Sequence, residues 1–422
     1  MTTSIEIRRK IARLRSGKPP RCMDLFAGCG GITLGFFTAG FELVASVESD
    51  KFSAASHGFN FAAKSLGKNK QAHFKARDIT QESPGAIFSD LGIDGRVGEQ
   101  VDVLVGGPPC QAYARVGRAK LRHEALRRDE DDADVAFLVD GRVNLWQKYL
   151  DYVRETKPLA LLMENVPDIL NHGGRNVAET VSEHLRTEGY HVRYTLLNAS
   201  WFGVPQMRER MFLIGVHKDL DEDAIFPPLT HFSVLPSGYG GTRATARKLI
   251  PQDGAGFGKG EHGHCFISDP SANDDLPPTT TAGEALADLP PIYALDLLKK
   301  GQIKRGRKDP SELTTYISNK PTTAWSRLMR EWPHFTTKGH TTGHVIRYLP
   351  RDYKIFRMMK EGWQYPEIWH FIEEKRQQLL NKKGKSGKKK SFDDVQLKEF
   401  IKQWTLPYDP KKFPNKWCPA PL

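Results

Sequence analysis

From residue 21 to residue 190 short apolar runs alternate with helix-patterned segments, and this alternation constrains the fold more than any other property of the chain. RCMDLF precedes GITLGFFTAG, FELVASVE precedes KFSAASHGFNFAA, and AHFKA, VDVLVGG, NLWQKYLDYVRE and LALLME follow. A strand that is apolar throughout, rather than at every second position, is buried on both faces, and helices are what cover it. The expectation is an α/β fold with a doubly wound, mostly parallel sheet of Rossmann-like type, AHFKA included as its third strand. HVRYTLLNA and RMFLIGV, separated by SWFGVPQMRE, would close it as a hairpin. Ligands of such sheets bind beyond the carboxyl ends of the strands, so the residues there are the ones to read.

The 422 residues suffice for more than one domain. The expected division is a basic segment over residues 1–20, the sheet domain over 21–216, and a second, irregular region over 217–422. Charge is uneven across that division. Residues 1–216 hold 29 Lys and Arg against 26 Asp and Glu, whereas residues 217–422 hold 33 against 24, so the second half carries most of the net charge of +12. A basic surface admits a polyanionic partner without proving one. The densest run, NKKGKSGKKK (Asn381 to Lys390), reads as a solvated loop rather than a binding surface. Cys22, Cys29, Cys110, Cys265 and Cys418 form neither a disulfide framework nor a CxxC spacing. No apolar run approaches the ~18 residues of a membrane span and no signal-like segment opens the chain, so a cytoplasmic protein is expected.

Five strand ends carry chemistry. After the first comes Asp24-Leu25-Phe26-Ala27-Gly28-Cys29-Gly30-Gly31, whose glycines let backbone amides approach a ligand at the start of a helix, although a plain tight turn reads the same. After the second comes Glu48, about twenty residues beyond the glycines, where an acid accepts the two hydrogen bonds of a ribose diol. Asp78 in ARDIT could accept an adenine amino group, and either acid could equally be a solvated surface carboxylate. After VDVLV the chain reads GGPPCQAYA, in which two prolines stiffen the presentation of Cys110 as a nucleophile would require. LALLM ends in Glu164-Asn165-Val166-Pro167, and QMRER places Gln206, Arg208 and Arg210 before the last strand. The ordinary readings are a core cysteine, a helix-capping pair and a surface ion-pair cluster. Their convergence on one sheet edge favours a site.

Assembled, these pieces resemble the cytosine-5 DNA methyltransferase family. DLFAGCGG, VESD, RDIT, GGPPCQAY, ENVPDIL and QMRERMFLIGV occur in the family's order over residues 21–216. The resemblance implies an S-adenosylmethionine-dependent methyltransferase fold, no metal, and transfer of a methyl group to carbon 5 of a cytosine in double-stranded DNA. Cys110 would add to carbon 6, Glu164 would hold the ring N3 and exocyclic amine, and Arg208 and Arg210 would anchor the base oxygen, the carboxylate or a phosphate. Because stacking hides carbon 6, the base must be flipped. The implied cofactor contacts are Phe26, Gly28, Cys29, Gly31, Glu48, Asp78, Gly107, Pro109 and Leu145, with Phe26 and Leu145 against adenine. Gln111, Asn165 and Gln206 are the implied substrate contacts. The polar stretch from Gln111 to Asp140 resembles the family's DNA-closing loop, and Ala114 stands where a serine is common. Cytosine in structured RNA is the alternative substrate.

Residues 217–422 would then carry target recognition. They contain Pro- and Gly-rich stretches, a helix-like SELTTYISNK, and HVIRYLPRDYKIFRMMKEGWQYPEIWHFIEEKRQQLL, helical with arginines among aromatics. His262, His264 and Cys265 in EHGHC lack the second ligand pair that zinc needs. The family's RLQxFPD-like run and GNxVP helix are not found, so the region is expected to be incomplete at its carboxyl end. This leaves open a truncated or split member that binds DNA or cofactor without acting alone. Further expected partners are a complementary chain and a cognate restriction nuclease.

Overall fold

The computed structural model describes residues 4–109, 145–172, 174–234, 237–250, 265–268, 275–293, 313–337, 339–344, 360, 363 and 365–380. Chain order among them runs α1 (Ile5–Arg15), β1 (Arg21–Leu25), α2 (Gly31–Thr38), β2 (Glu42–Val47), α3 (Lys51–Phe61) and α4 (Pro84–Leu91). There follow β3 (Val103–Gly106), α5 (Leu145–Thr156), β4 (Ala160–Asn165), α6 (Val177–Thr187), β5 (Tyr190–Asn198) and β6 (Glu209–His217). The helices start where the sequence supplies caps: Asp50 accepts the Ser53 amide at 2.8 Å, and Asn176 accepts that of Glu179 at 3.1 Å. Ser83 caps α4 ahead of Pro84, and Gly92, in the left-handed region at φ 67°, ends it.

The six strands form one sheet in the order β2-β1-β3-β4-β6-β5. β1 pairs in parallel with β2 and β3, and β3 in parallel with β4. The expected hairpin forms, with β6 antiparallel to both β4 and β5 and lying between them. The chain therefore leaves β1 on one side for β2 and returns on the other for β3. That reversal opens the crevice between the turns that follow β1 and β3.

Burial differs along the sheet. In β1 Cys22, Met23, Asp24 and Leu25 are all buried, as are Leu104 and Val105 in β3, so both faces are covered there. In β4 and β6 burial alternates instead. Leu161, Met163, Met211 and Leu213 join the core, while Leu162, Glu164, Arg210, Phe212 and Ile214 are half-buried on the opposite face.

AHFKA is not a strand. Lys70–Phe74 forms a short 3-10 turn, and the edge of β2 receives only single hydrogen bonds, from Leu66 N to Leu43 O at 2.7 Å and from Arg77 N to Glu48 O at 2.7 Å. The segment packs instead on α3, where Gly58 leaves room for Phe74, and Arg77 is buried in ion pairs with Glu82 and Asp90. Asp78 consequently ends a loop, not a strand.

α1 lies at the opposite end of the sheet from the crevice. Buried Lys10 donates to the carbonyls of Thr156 at 2.8 Å and Lys157 at 2.7 Å, closing the carboxyl end of α5, and Arg13 pairs with Asp102.

The chain divides into two compact units, one comprising residues 1–203, 208–233 and 241–278, the other residues 204–207, 234–240 and 279–422. α7 (Ser237–Ala246) has residues in both. The second unit contains α8 (Ala282–Leu286), β7 (Leu313–Thr315), α9 (Ala324–Arg330), β8 (His340–Thr342) and α10 (Tyr365–Leu380). SELTTYISNK supplies strand β7, not a helix; its β-branched threonines pair antiparallel with β8. Arg330 organises this unit. It pairs with buried Asp288 at 3.4 Å, donates to the carbonyls of Ser318 and Asn319, and lies 4.0 Å from the Tyr316 ring centroid.

Candidate active site

The turn after β1 is built from unusual backbone. Phe26 adopts φ 57°, a conformation non-glycine residues rarely take, and Gly30 at φ 98° caps α2 without a side chain. A Cβ at Gly30 would meet Phe61 at 2.5 Å, so both conformation and space demand glycine. The turn is tied to the end of β2: Glu48 accepts the amide of Gly28 at 2.9 Å through one oxygen and that of Asp50 at 2.7 Å through the other. Each oxygen keeps a lone pair for a further donor. Cys29 is exposed. Asp78 is exposed and its carboxylate accepts the amide and hydroxyl of Thr80, 2.9 and 2.8 Å away, so it serves its own turn.

The opposite wall comes from β4 and β6. Glu164 stands across from Phe212, and Arg210, two residues along β6 on the same face, places its Nε 2.8 Å from the Glu164 carboxylate. Gly107 lies beside the pair, since a Cβ there would approach Glu164 Oε2 to 3.0 Å. Asn165 points to the other face and is buried, donating to the Pro108 carbonyl at 3.1 Å and accepting the Val166 amide at 2.9 Å. It thus fixes the backbone of the proline turn rather than facing the cavity. Arg208 is exposed, whereas Glu209 is directed away and pairs with Arg243, whose Nε is 2.8 Å from it.

Between the walls is a cavity of about 710 Å³. Phe26, Gly31, Gly107, Glu164, Arg208 and Arg210 line it, so six of the expected residues converge. Gly28 and Glu48 sit beside it through their hydrogen bond, and Leu145, first residue of α5, packs on the core. The remaining lining residues go beyond the sequence reading. Ile32, Leu162, Phe212 and Ile214 are signalled by the two periodicities of helix and strand, but Asn198, Phe202, Phe226 and Pro227 arrive from segments with no local pattern. Gln206 belongs to the second compact unit. Pro109 is half-buried at the last described position before Cys110. Cys110, Gln111, the loop to Asp140, His262 and His264 all lie outside the described residues. Among the described residues no group of three His, Cys, Asp or Glu is placed to hold a metal, and no helix is long and apolar enough to cross a membrane.

A cavity lined by Glu164 and its partner Arg210, with Gly31 and Gly107 at the two turns, has room for an apolar-faced ligand and polar groups to orient it. Comparison with known proteins gives the family. A candidate type II methyltransferase of Oceanobacillus iheyensis is 31% identical over 402 residues, covering 95% of this chain and 79% of that one. The type II methyltransferase M.AgeI of Thalassovita gelatinovora is 29% identical over 357 residues, covering 82% and 68%. M.DdeI of Desulfomicrobium norvegicum is 32% identical over 211 residues, covering 49% of this chain and 43% of its own length. Residues 20–412 match the C-5 cytosine-specific DNA methylase family across nearly the whole chain, and the chain belongs to that family.

Proposed function

We propose that the chain is a DNA cytosine-5 methyltransferase acting on a cytosine flipped out of the duplex. The observation that carries this reading is the Glu164–Arg210 pair, held at 2.8 Å on the open face of two adjacent strands and beside Gly107 of the turn leading to Cys110. Phe26 and Leu145 would enclose the adenine of S-adenosylmethionine, Glu48 would take its ribose, and Gly28, Gly31 and Gly107 would allow close backbone approach. When bound, that cofactor supplies the electrophilic methyl group that carbon 5 takes up.

The protein's own task is to make carbon 5 nucleophilic. Cys110 adds as thiolate to carbon 6, and the displaced electron pair moves towards carbon 5, giving an enamine-like ring. Glu164, positioned by Arg210, hydrogen-bonds N3 and the exocyclic amine and so stabilises charge that develops on the ring. Arg208 reaches the cavity from the rim and contacts the base oxygen or a phosphate. Loss of the carbon 5 proton then expels the cysteine. The +9 excess over residues 217–422 suits contact with the DNA backbone. A cognate restriction nuclease is the further partner we propose.

The test is incubation of the purified chain with labelled S-adenosylmethionine and either duplex DNA or structured RNA. Label on cytosine carbon 5 of the duplex is expected. Cofactor binding without transfer to either substrate would remove the claim of autonomous activity, and preferential labelling of RNA would replace the substrate.

A further inference from the structure

The strand that leads into the glycine turn carries a buried acid that this chemistry does not use. Asp24 in β1 is fully buried, and its Oδ2 accepts both the amide of Thr33 at 3.1 Å and the hydroxyl at 2.6 Å. Thr33 Oγ1 is 2.9 Å from His57 Nε2, and His57 Nδ1 is 3.2 Å from the Ser46 hydroxyl. One continuous chain of hydrogen bonds therefore links β1, α2, α3 and β2.

Its direction follows from donor arithmetic. The Thr33 amide already donates to Oδ2, which makes that oxygen an acceptor, and the hydroxyl donates to it as well. Thr33 Oγ1 then accepts from His57 Nε2–H, leaving Nδ1 to accept from Ser46. Oδ1 of Asp24 is buried without a partner among the described residues and is where a proton would sit, so the direction holds in either protonation state. Burial keeps the His57 ring neutral by lowering its pKa to about 4, as this tautomer requires, and burial also pushes Asp24 up to about 7.

The network brackets the turn. Asp24 lies two residues before Phe26 and Thr33 two after Gly31, and both Phe26 and Gly31 line the cavity. Gly30 cannot cap α2 with a side chain, so a carboxylate from the neighbouring strand takes the Thr33 amide instead. His57 also packs beneath the turn, where a Cβ at Gly30 would lie 3.0 Å from its ring. We propose that Asp24, Thr33, His57 and Ser46 form a positioning network that holds the glycine turn in its binding shape, setting affinity for the methyl donor without touching it. This rests on the assignment of the cavity as the methyl-donor site.

The test compares Thr33→Val, which keeps size but removes the hydroxyl, with Thr33→Ser, which restores it, and with His57→Phe. S-adenosylmethionine affinity by calorimetry, kcat and KM on duplex DNA, and thermal unfolding are read for each. Thr33→Val and His57→Phe should weaken cofactor binding about 10-fold with kcat at saturating cofactor within about twofold, and Thr33→Ser should bind within about twofold of the wild type. Val181→Ala, a core truncation in α6 outside the cavity lining, should lower the unfolding temperature without weakening cofactor binding. Unchanged affinity in Thr33→Val, or equal weakening in Val181→Ala, overturns the network's role. A wild-type chain that binds no S-adenosylmethionine overturns the functional reading instead.

Discussion

β1 to β3 and β4 with β6 belong to one sheet but bury their residues differently. The first group is covered on both faces, and even Asp24 in it is wholly enclosed. The second hides Leu161, Met163, Met211 and Leu213 on one face and turns Leu162, Glu164, Arg210, Phe212 and Ile214 to the cavity on the other. A face that stays half-buried among the described residues forgoes hydrophobic stabilisation, roughly 1.5 to 3 kcal/mol for each large side chain left exposed instead of fully buried. What that face gains is room to aim polar groups at a ligand. The doubly covered half should therefore govern stability and the open half binding and chemistry.

The largest effect tests the seam between the halves, where the turn after β3 leads to Cys110. Cys110→Ser should reduce methyl transfer by at least about 10³-fold, as expected for loss of a nucleophile, while cofactor and DNA binding persist. Substantial remaining turnover in a transfer assay would assign the nucleophile elsewhere. Next come two neighbours on β4 that face opposite ways. Leu161→Ala should cost about 2 to 5 kcal/mol in a urea unfolding experiment, and Leu162→Ala about 1 kcal/mol or less but with weaker cofactor binding. Equal costs would mean that the open face is covered after all.

Much of this contrast is legible in the sequence. RCMDLF and VDVLV read as continuous apolar strands and are buried on both faces, and ENVP and QMRER read as strand ends on one cleft. What cannot be read depends on partners distant in the chain. AHFKA is too short and too poor in β-branched residues to declare a strand, and packing on Gly58 decides it for a turn. β6 lies between β4 and β5 because of an order that no local pattern encodes. Lys10 sits in a basic segment that looks like surface, yet it reaches carbonyls 146 and 147 residues away. Asp24 reads as part of a ligand turn, and only the approach of Thr33 and His57 makes it an internal cap.

Smaller effects sharpen the comparison. Arg210→Ala should weaken capture of the base about 10-fold, read as KM for DNA, and cofactor affinity by less than about threefold. Comparable losses in both would merge two walls that the geometry separates. The pH dependence of stability tests the enclosed half. Between about pH 4 and 6.5 the folded chain keeps the Asp24 proton that the unfolded chain loses, so that group's contribution falls as pH rises. His57 does the reverse, because the unfolded chain takes up a proton that the folded chain refuses, so its contribution rises with pH over the same window. The two oppose each other in the wild type. Asp24→Asn keeps the acceptor oxygen and removes only the first, so its unfolding free energy in urea should climb from pH 4.5 to 6.5 more steeply than that of the wild type, by about 1.4 kcal/mol per pH unit at most. Parallel profiles would show that Asp24 is not protonated in the fold.

The most direct test of the open face as the seat of chemistry is the methyl-transfer rate of Glu164→Gln on duplex DNA at saturating S-adenosylmethionine. Gln is nearly isosteric and leaves the core untouched, so the rate should fall about 10² to 10³-fold with an unfolding temperature within about 2 °C of the wild type. A variant that turns over within about threefold of the wild type would contradict it.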